Sequence, residues 1–264
     1  MSLLVVENLS RAFGGVRAVH ELSFTLRPGG IQAIIGPNGA GKTTLFNLIT
    51  GVLPPVTGHV IFHGREITGL SPHRLAALGI ARTFQNLRLF TGMTALENVL
   101  LGRHLHVERG LLRSLLRTPA LRRSERQARE QARELLAFVG LADQADTAAG
   151  GLPYGAMKRL EIARALAVEP KLLLLDEPAA GCNETESAAL ERLLRAVARN
   201  GITVVLVEHD MRLVMSLAGR ILVLDHGQKL AEGAPAEIRA NPAVVEAYLG
   251  HSYLREAEAG AAHG

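Results

Sequence analysis

The chain lacks the features that mark secreted or membrane-spanning proteins. It has one cysteine, Cys182, and no tryptophan. A single cysteine excludes an internal disulfide and indicates a reducing compartment. No apolar run reaches the ~18 residues of a spanning helix, and the densest one, 213–224, is interrupted by Gly219 and Arg220. The start of the chain is not basic, and Glu7 comes too early for a signal sequence. We expect a cytosolic protein that reaches a membrane only through a partner.

Composition and charge are ordinary for a globular α/β protein. Of 264 residues, 48% are hydrophobic and 20% are charged, and the formal net charge is +4. This mild basic excess does not distinguish nucleic acid, acidic lipid and nucleotide as partners. The length allows one large domain or two small ones with an ample core.

The most informative run of the chain is 36–44, which matches the phosphate-loop pattern G-x-x-x-x-G-K-[ST]. Its residues are Gly36, Pro37, Asn38, Gly39, Ala40, Gly41, Lys42, Thr43 and Thr44. The run follows an apolar, β-branched segment, 31–35, and precedes a segment that suits a helix, 45–50. In such a loop, backbone N–H groups and the helix N-terminus surround an anion. Lys42 would reach the terminal phosphates and Thr43 would bind Mg²⁺. The sequence therefore predicts a nucleoside triphosphate site.

Apolar runs along the chain predict an α/β fold whose central strands are largely parallel. The strand-like runs are 3–6, 23–26, 31–35, 60–62, 172–175, 203–207 and 221–224. Strand signals vanish between about 92 and 154, where 122–138 reads as a polar amphipathic helix with Ala128, Leu135 and Phe138 on its apolar face. We expect a helical subdomain inserted into the α/β core there. The Ala- and Gly-rich end of the chain, 255–264, is expected to be disordered.

Two adjacent carboxylates follow the buried strand-like run 172–175. A continuously apolar strand is typical of a parallel sheet covered on both faces. Open α/β sheets bind ligands at the carboxyl ends of their strands. Asp176 is therefore predicted to hold Mg²⁺, and Glu177 to orient or deprotonate the attacking water. The alternative is a strand end that only caps the next helix.

Together these motifs resemble the ATP-binding subunits of ABC transporters over about residues 3–250. The resemblance rests on the phosphate loop, the Asp176–Glu177 pair and other motifs in family order: Phe13, Gln85 in Ala-Arg-Thr-Phe-Gln-Asn, the signature-like run 152–161, the loop 179–183 and His209 in Val-Glu-His-Asp. It implies a P-loop NTPase with a RecA-like core, an antiparallel β-subdomain and an inserted α-helical subdomain. The implied division is 1–91 with 155–254 for the ATP-binding core and 92–154 for the helical subdomain.

The resemblance also implies roles for individual residues, with ATP and Mg²⁺ as ligands. Phe13 would stack on adenine, Gln85 would monitor metal and water, and His209 would contact the γ-phosphate. The catalytic residues would be Lys42, Gln85, Glu177 and His209. The metal would be held by Thr43, Gln85 and Asp176. From the residues alone, Phe13 could also be a packing residue, Gln85 an exposed loop amide and His209 an ordinary surface histidine.

The signature-like run departs from the family pattern at two positions. Pro153 and Ala156 stand where serine and glutamine are usual, and proline offers neither an N–H nor a hydroxyl. The contact to a partner's nucleotide would then rest chiefly on the Gly155 backbone and the following helix N-terminus. Proline suits the first turn of a helix, so we expect that helix to form. We expect hydrolysis to persist at a reduced rate.

The resemblance implies that two ATPase subunits, identical or sister copies, enclose two nucleotides and drive membrane-spanning permease subunits, with a solute-binding protein acting indirectly and no nucleic acid bound. Such a subunit is peripheral, at the cytoplasmic face of the inner membrane. In finer detail the chain is similar to the larger ATPase subunit of branched-chain amino-acid uptake systems, on the runs 159–166, 176–181, 208–211 and 247–250 and the insert 110–119.

Several alternatives stay open at this point. Importers of urea or other amides have nearly the same motifs, and an ATPase for lipopolysaccharide export is disfavoured only by the insert 110–119. A non-transport ABC ATPase of DNA repair or translation is disfavoured by the single phosphate loop and the absence of sustained heptads. A module that binds nucleotide without hydrolysing it is suggested by Pro153 and Ala156. The intact Lys42, Asp176, Glu177 and His209 argue against it.

Overall fold

Helices lie between several of the strands along the chain, as the sequence predicts. The computed structural model describes residues 2–85, 87–103 and 119–248. These divide between two compact units, Met1–Leu75 with Leu194–Gly264, and Ala76–Leu193. The expected disordered end, 255–264, and nearly all of the insert 110–119 lie outside the described residues. The division into 1–91 with 155–254 and 92–154 stays a prediction.

The first unit contains an antiparallel sheet of four strands in the order β2-β1-β4-β5. Its strands are β1 Leu4–Phe13, β2 Val16–Leu26, β4 Thr57–Phe62 and β5 Arg65–Glu66. The pairing of Leu4 with both Leu26 and Phe62 sets the register at one end of β1. All three side chains are buried. The antiparallel subdomain implied by the family resemblance is therefore present.

The first unit also contains strands in the order β10-β9-β3-β8. Their bounds are β3 Ile31–Ile35, β8 Thr203–Val207, β9 Arg220–Asp225 and β10 Gln228–Gly233. Strand β3 is parallel to β8 and β9, whereas β10 is antiparallel to β9. Every residue of β3 and β8 is buried, as expected for apolar strands covered on both faces. The prediction of parallel central strands is confirmed.

In the second unit, strand β6 pairs in parallel with strand β7. Strand β6 is Ile80–Arg82 and β7 is Leu172–Asp176, and β7 is buried throughout. This unit also contains α3 Ala95–Gly102, α4 Pro119–Phe138 and α5 Tyr154–Leu166. Helices α4 and α5 both pack on α3.

The remaining helices are short apart from one. They are α1 Lys42–Ile49, α2 Pro72–Ala77, α6 Glu184–Arg199, α7 Met211–Leu217, α8 Pro235–Ala240 and α9 over 242–248. Short 3₁₀ turns lie at Ala142–Gln144 and Ala149–Gly151. Within the described ranges, none of the helices combines the length and apolarity that crossing a bilayer requires.

The predicted helix over 122–138 is present, but its buried face differs from the predicted one. The face lies along Ala128, Ala132 and Leu136, at a spacing of four residues. Leu135 is half-buried and Phe138 is exposed. Of the three predicted residues, only Ala128 lies on the buried face, which Ala132 and Leu136 complete.

Candidate functional site

The phosphate loop joins the buried strand β3 to helix α1, the context that the motif requires. Gly39 and Gly41 have φ angles of 81° and 96°, in the left-handed region. Gly41 is the N-cap of α1, whose first turn contains no acidic residue. Free N–H groups at a helix start carry partial positive charge. The loop is therefore built to receive an anion.

Only glycine fits at two positions of this loop. A Cβ atom at Gly36 would lie 2.1 Å from the carbonyl oxygen of Leu224 in β9. A Cβ atom at Gly41 would lie 2.2 Å from the carbonyl oxygen of Ala18 in β2. Both neighbours are backbone atoms of paired strands, so neither can move aside cheaply. The packing of the loop against β2 and β9 therefore depends on these two glycines.

Lys42 is buried and turns back over the loop. Its Nζ donates to the carbonyl oxygen of Gly36 at 2.7 Å and to that of Pro37 at 2.9 Å. An ammonium group held by two carbonyls is a fixed positive charge at the mouth of the loop. Thr43, the predicted metal ligand, is exposed, and Thr44 is half-buried.

Two more residues of the first unit, Phe13 and His209, were predicted to contact the nucleotide. Phe13, at the end of β1, is 45% exposed, and the guanidinium carbon of Arg11 lies 5.0 Å from its ring centroid. An exposed ring at the hairpin tip is available for stacking, which disfavours the packing alternative. His209 is exposed and lies two residues beyond the carboxyl end of β8.

Tyr248 lies in the run 247–250, but the sequence gave it no role in the site. Its hydroxyl hydrogen-bonds to the backbone of Gly36. Burial raises the pKa of Tyr248 to about 12, and the bond to Gly36 partly offsets that rise. The end of α9 is therefore attached to the first glycine of the phosphate loop.

In the second unit, Asp176 ends strand β7 with a buried carboxylate. Its Oδ2 accepts a hydrogen bond from Arg82 Nη2 at 2.8 Å. Its Oδ1 is buried and accepts no hydrogen bond from the described part of the chain. A buried carboxylate oxygen without a partner is costly, and hard oxygen is what Mg²⁺ or a water bound to it prefers. The residue present here therefore fits the predicted metal role.

Glu177 follows in a left-handed backbone conformation with φ of 48°. Such a conformation costs about 1–2 kcal/mol for a residue other than glycine. Its side chain accepts a hydrogen bond at Oε2 from Gln85 Nε2 at 3.2 Å, and its carbonyl accepts one from the buried Lys158 at 3.4 Å. These contacts fix a strained residue, which is common at reactive positions. The structure thus brings the predicted residues Gln85 and Glu177 together.

The signature-like run forms the start of α5 despite its proline. The expected helix forms, and it begins at Tyr154 with Pro153 as its N-cap residue, one position before the first turn. The Gly155 N–H donates to Glu186 Oε1 at 3.2 Å, and Glu186 Oε2 accepts from the Asn183 N–H at 3.0 Å. The amide assigned by the family resemblance to a nucleotide phosphate is therefore occupied here by a carboxylate of α6.

Sequence reasoning missed several residues that support the predicted ones: Arg82, Lys158, Glu161, Glu186 and Tyr248. Arg82 lies three residues before Gln85, at the end of a three-residue strand, β6, that gave no recognisable pattern. Lys158 and Glu161 are charged residues on a helix, which usually face water, yet both are buried. Their burial was the signal, and only the structure reveals it.

Comparison with known proteins agrees with this geometry. A family model described as "ABC transporter" matches residues 19–180, and one described as "Branched-chain amino acid ATP-binding cassette transporter" matches 228–253. The chain is 46% identical over 251 residues to the high-affinity branched-chain amino acid transport ATP-binding protein BraF of Pseudomonas aeruginosa, covering 95% of this chain and 98% of BraF. It is 45% identical to LivG of Salmonella typhimurium, a protein of the same description, with the same coverage.

Solved structures are similar as well. The ADP conformation of MJ1267, an ATP-binding cassette of an ABC transporter, superposes with a TM-score of 0.83 at 35% identity, covering 95% of this chain and 99% of that one. A dimeric post-hydrolysis state of the cassette MJ0796 bound to ADP and Pi gives a TM-score of 0.74 at 26% identity, covering 88% and 98%.

Proposed function

The chain belongs to the ABC transporter family of ATP-hydrolysing subunits, and we propose that it powers an importer of branched-chain amino acids. The observation that carries the ATPase assignment is the phosphate loop, with glycines packed against backbone and Lys42 held over the loop. The cargo is supported by the family match at 228–253 and by the names of BraF and LivG.

The loop 36–44 binds the phosphates of ATP through its N–H groups, and Lys42 lies opposite the terminal phosphates. The backbone of Gly155 contacts the nucleotide that a second subunit binds. Phe13 stacks on adenine, and an exposed ring supports that role. Mg²⁺ would be held by Thr43, Gln85 and Asp176. The Oδ1 of Asp176, which accepts no hydrogen bond from the described residues, supports the part of Asp176. When bound, Mg²⁺ neutralises charge on the phosphates during transfer.

Glu177 orients or deprotonates the attacking water, and His209 contacts the γ-phosphate. The hydrogen bond from Gln85 supports this role for Glu177, because it fixes the carboxylate direction. Hydrolysis persists despite Pro153 and Ala156, at a reduced rate, since α5 still begins at Tyr154. The Gly155 N–H must first leave Glu186 Oε1 before it can donate to a phosphate.

Two ATPase subunits, identical or sister copies, close over ATP and reopen after hydrolysis. The dimeric MJ0796 cassette, bound to ADP and Pi, supports this assembly. The pair drives membrane-spanning permease subunits at the cytoplasmic face of the inner membrane, and a solute-binding protein delivers the cargo.

Reconstitution tests this function. The chain would be placed in proteoliposomes with candidate permease subunits and a candidate solute-binding protein. We expect ATP-dependent uptake of labelled leucine. The variant Glu177→Gln should bind ATP normally but slow phosphate release by about 100-fold or more. Uptake of urea without leucine would refute the cargo, and absence of ATP hydrolysis by the wild-type assembly would refute the ATPase assignment.

A further inference from the structure

Helix α5 carries a buried carboxylate that the proposed catalytic set does not use. Glu161 is 3% exposed and lies six residues after Gly155 on the same helix. Burial raises the pKa of Glu161, and the nearby Arg164 partly offsets that rise. Burying a charge costs free energy unless the charge is paired and hydrogen-bonded. The contacts of Glu161 therefore indicate its role.

Those contacts join α5 to the loop that carries Gln85. The Arg88 N–H donates to Glu161 Oε1 at 3.5 Å, and the backbone of Phe84 also hydrogen-bonds to this carboxylate. Arg164 lies 3.8 Å from Glu161 Oε1 and donates to the carbonyl oxygen of Arg88. The backbone is therefore attached to α5 on both sides of Gln85.

The ring of Phe84 is also held in place, by two arginine side chains. The guanidinium carbons of Arg88 and Arg82 lie 4.4 Å and 5.1 Å from its centroid. Cations over an aromatic face attract it, more strongly where water is excluded. With Phe84 and Arg88 held, the side chain of Gln85 between them is directed at Glu177 Oε2.

We propose that Glu161 is a positioning residue for hydrolysis: it fixes the loop around Gln85 to helix α5, and through Gln85 it orients Glu177. This rests on the proposed function, because it assigns Glu161 to the same reaction. It also gives a direct connection from the helix that begins at the signature-like run to the residue that activates water. A movement of α5 would be passed to Gln85 through two backbone hydrogen bonds.

Steady-state hydrolysis by the full-length chain tests this proposal. Removal of a supporting group one contact away from a metal or water ligand typically costs about 10- to 100-fold. We expect Glu161→Ala to lower kcat by that factor while the KM for ATP stays within about twofold, since the phosphate loop is untouched. Glu161→Gln retains an acceptor oxygen and should recover most of kcat.

Glu169→Gln is the matched control. Glu169 pairs with the buried Arg103 at 3.2 Å in the same unit, but it does not touch the Gln85 loop. Its kcat should equal that of the wild type. Parental kcat in Glu161→Ala would overturn the proposal. So would a joint fall in kcat, ATP affinity and melting temperature that Glu161→Gln fails to reverse, because that pattern describes a purely structural residue.

A double-mutant cycle sharpens the test. If Glu161 acts through Gln85, its removal in a Gln85→Ala background costs nothing further, and the coupling between the two sites equals the full effect of Glu161→Ala. If the fall in kcat of the double variant equals the product of the falls in the two single variants, the two residues act independently and the proposal is wrong.

Amide hydrogen exchange gives a readout independent of catalysis. The N–H groups of Phe84 and Arg88 should exchange at least tenfold faster in Glu161→Ala and at the wild-type rate in Glu169→Gln. If the wild-type protein fails to hydrolyse ATP, the proposed function is wrong. The exchange rates still test whether Glu161 attaches the loop around Gln85 to helix α5. Unchanged exchange in Glu161→Ala would refute it.

Discussion

Arg82 and Asp176 form an ion pair inside the second unit, because parallel pairing of β6 with β7 places Arg82 opposite Leu174, two residues before the carboxylate. The two side chains are 7% and 2% exposed. Arg82 thus occupies one oxygen of Asp176 and leaves the other for a different partner. The predicted metal ligand is oriented by an arginine rather than by solvent.

We expect Arg82→Ala to lower the free energy of unfolding by about 3–5 kcal/mol, because it leaves a buried carboxylate unpaired. Denaturant titration of the chain without nucleotide measures this. The control is Arg220→Ala, since Arg220 pairs with Glu232 at 2.9 Å but is 47% exposed. Such an exposed pair contributes about 0–1 kcal/mol. Equal losses in the two variants would show that burial does not determine the strength of the Arg82 pair.

Much of the fold followed from sequence pattern. The runs 31–35 and 203–207 coincide with β3 and β8, because apolar β-branched segments bounded by turns are distinctive. Strands β5, β6 and β10 were missed because they are short or polar, and long-range pairing alone makes them strands.

The residues of the candidate site likewise divide into those that the sequence predicted and those that it did not. Gly36, Gly41 and Lys42 were predictable because their roles depend on local backbone geometry and a fixed spacing. Arg82 and Glu161 were not, because each acts through a residue distant in sequence, and an ion pair buried by tertiary packing leaves no periodic trace. The predicted apolar face of α4 was wrong at Leu135 and Phe138 for a related reason, since tertiary packing determines which face is buried, and it buries Ala132 and Leu136 instead.

Lys42→Ala should weaken ATP binding by at least about tenfold. The variant removes a charge-assisted contact to phosphate, and such contacts contribute about 1.5–3 kcal/mol. It also removes the two hydrogen bonds that hold the carbonyls of Gly36 and Pro37. Calorimetric titration with ATP measures the change. Lys171→Ala, at an exposed position, should bind as the wild type does. Unchanged affinity in Lys42→Ala would contradict the role of this residue.

Two glycines of the phosphate loop should respond differently to the same substitution. Both have positive φ, but a Cβ atom at Gly41 meets the backbone of Ala18, whereas a Cβ atom at Gly39 meets nothing within 4 Å. Gly39→Ala should therefore cost only the backbone strain, about 1–2 kcal/mol. Gly41→Ala should cost clearly more, because strand β2 cannot yield. Unfolding without nucleotide compares the two, and equal costs would mean that the loop can move away from β2.

The stability of the chain should depend on pH through Glu161 in an identifiable direction. Burial raises the pKa of this carboxyl above its ordinary value of 4.5, so the folded state binds its proton more tightly than the unfolded state does. The stabilisation from that proton is complete below the unfolded pKa and is lost as pH rises through the folded pKa. Glu161→Gln mimics the protonated form. Relative to the wild type, it should therefore be more stable at pH 7 than at pH 4.

Glu97 provides the opposite case for the same measurement. Hydrogen bonds from the backbone N–H and the hydroxyl of Thr94 lower the pKa of Glu97, so its contribution is present above the unfolded pKa and is lost as pH falls through the folded one. Relative to the wild type, Glu97→Gln should be less stable at pH 7 than at pH 4. Thermal unfolding of the wild type, Glu161→Gln and Glu97→Gln is measured from pH 4 to pH 7. The difference in stability between each variant and the wild type should change with pH in opposite directions for the two variants. Slopes of the same sign would show that the surroundings of Glu161 favour its charged form, as those of Glu97 do.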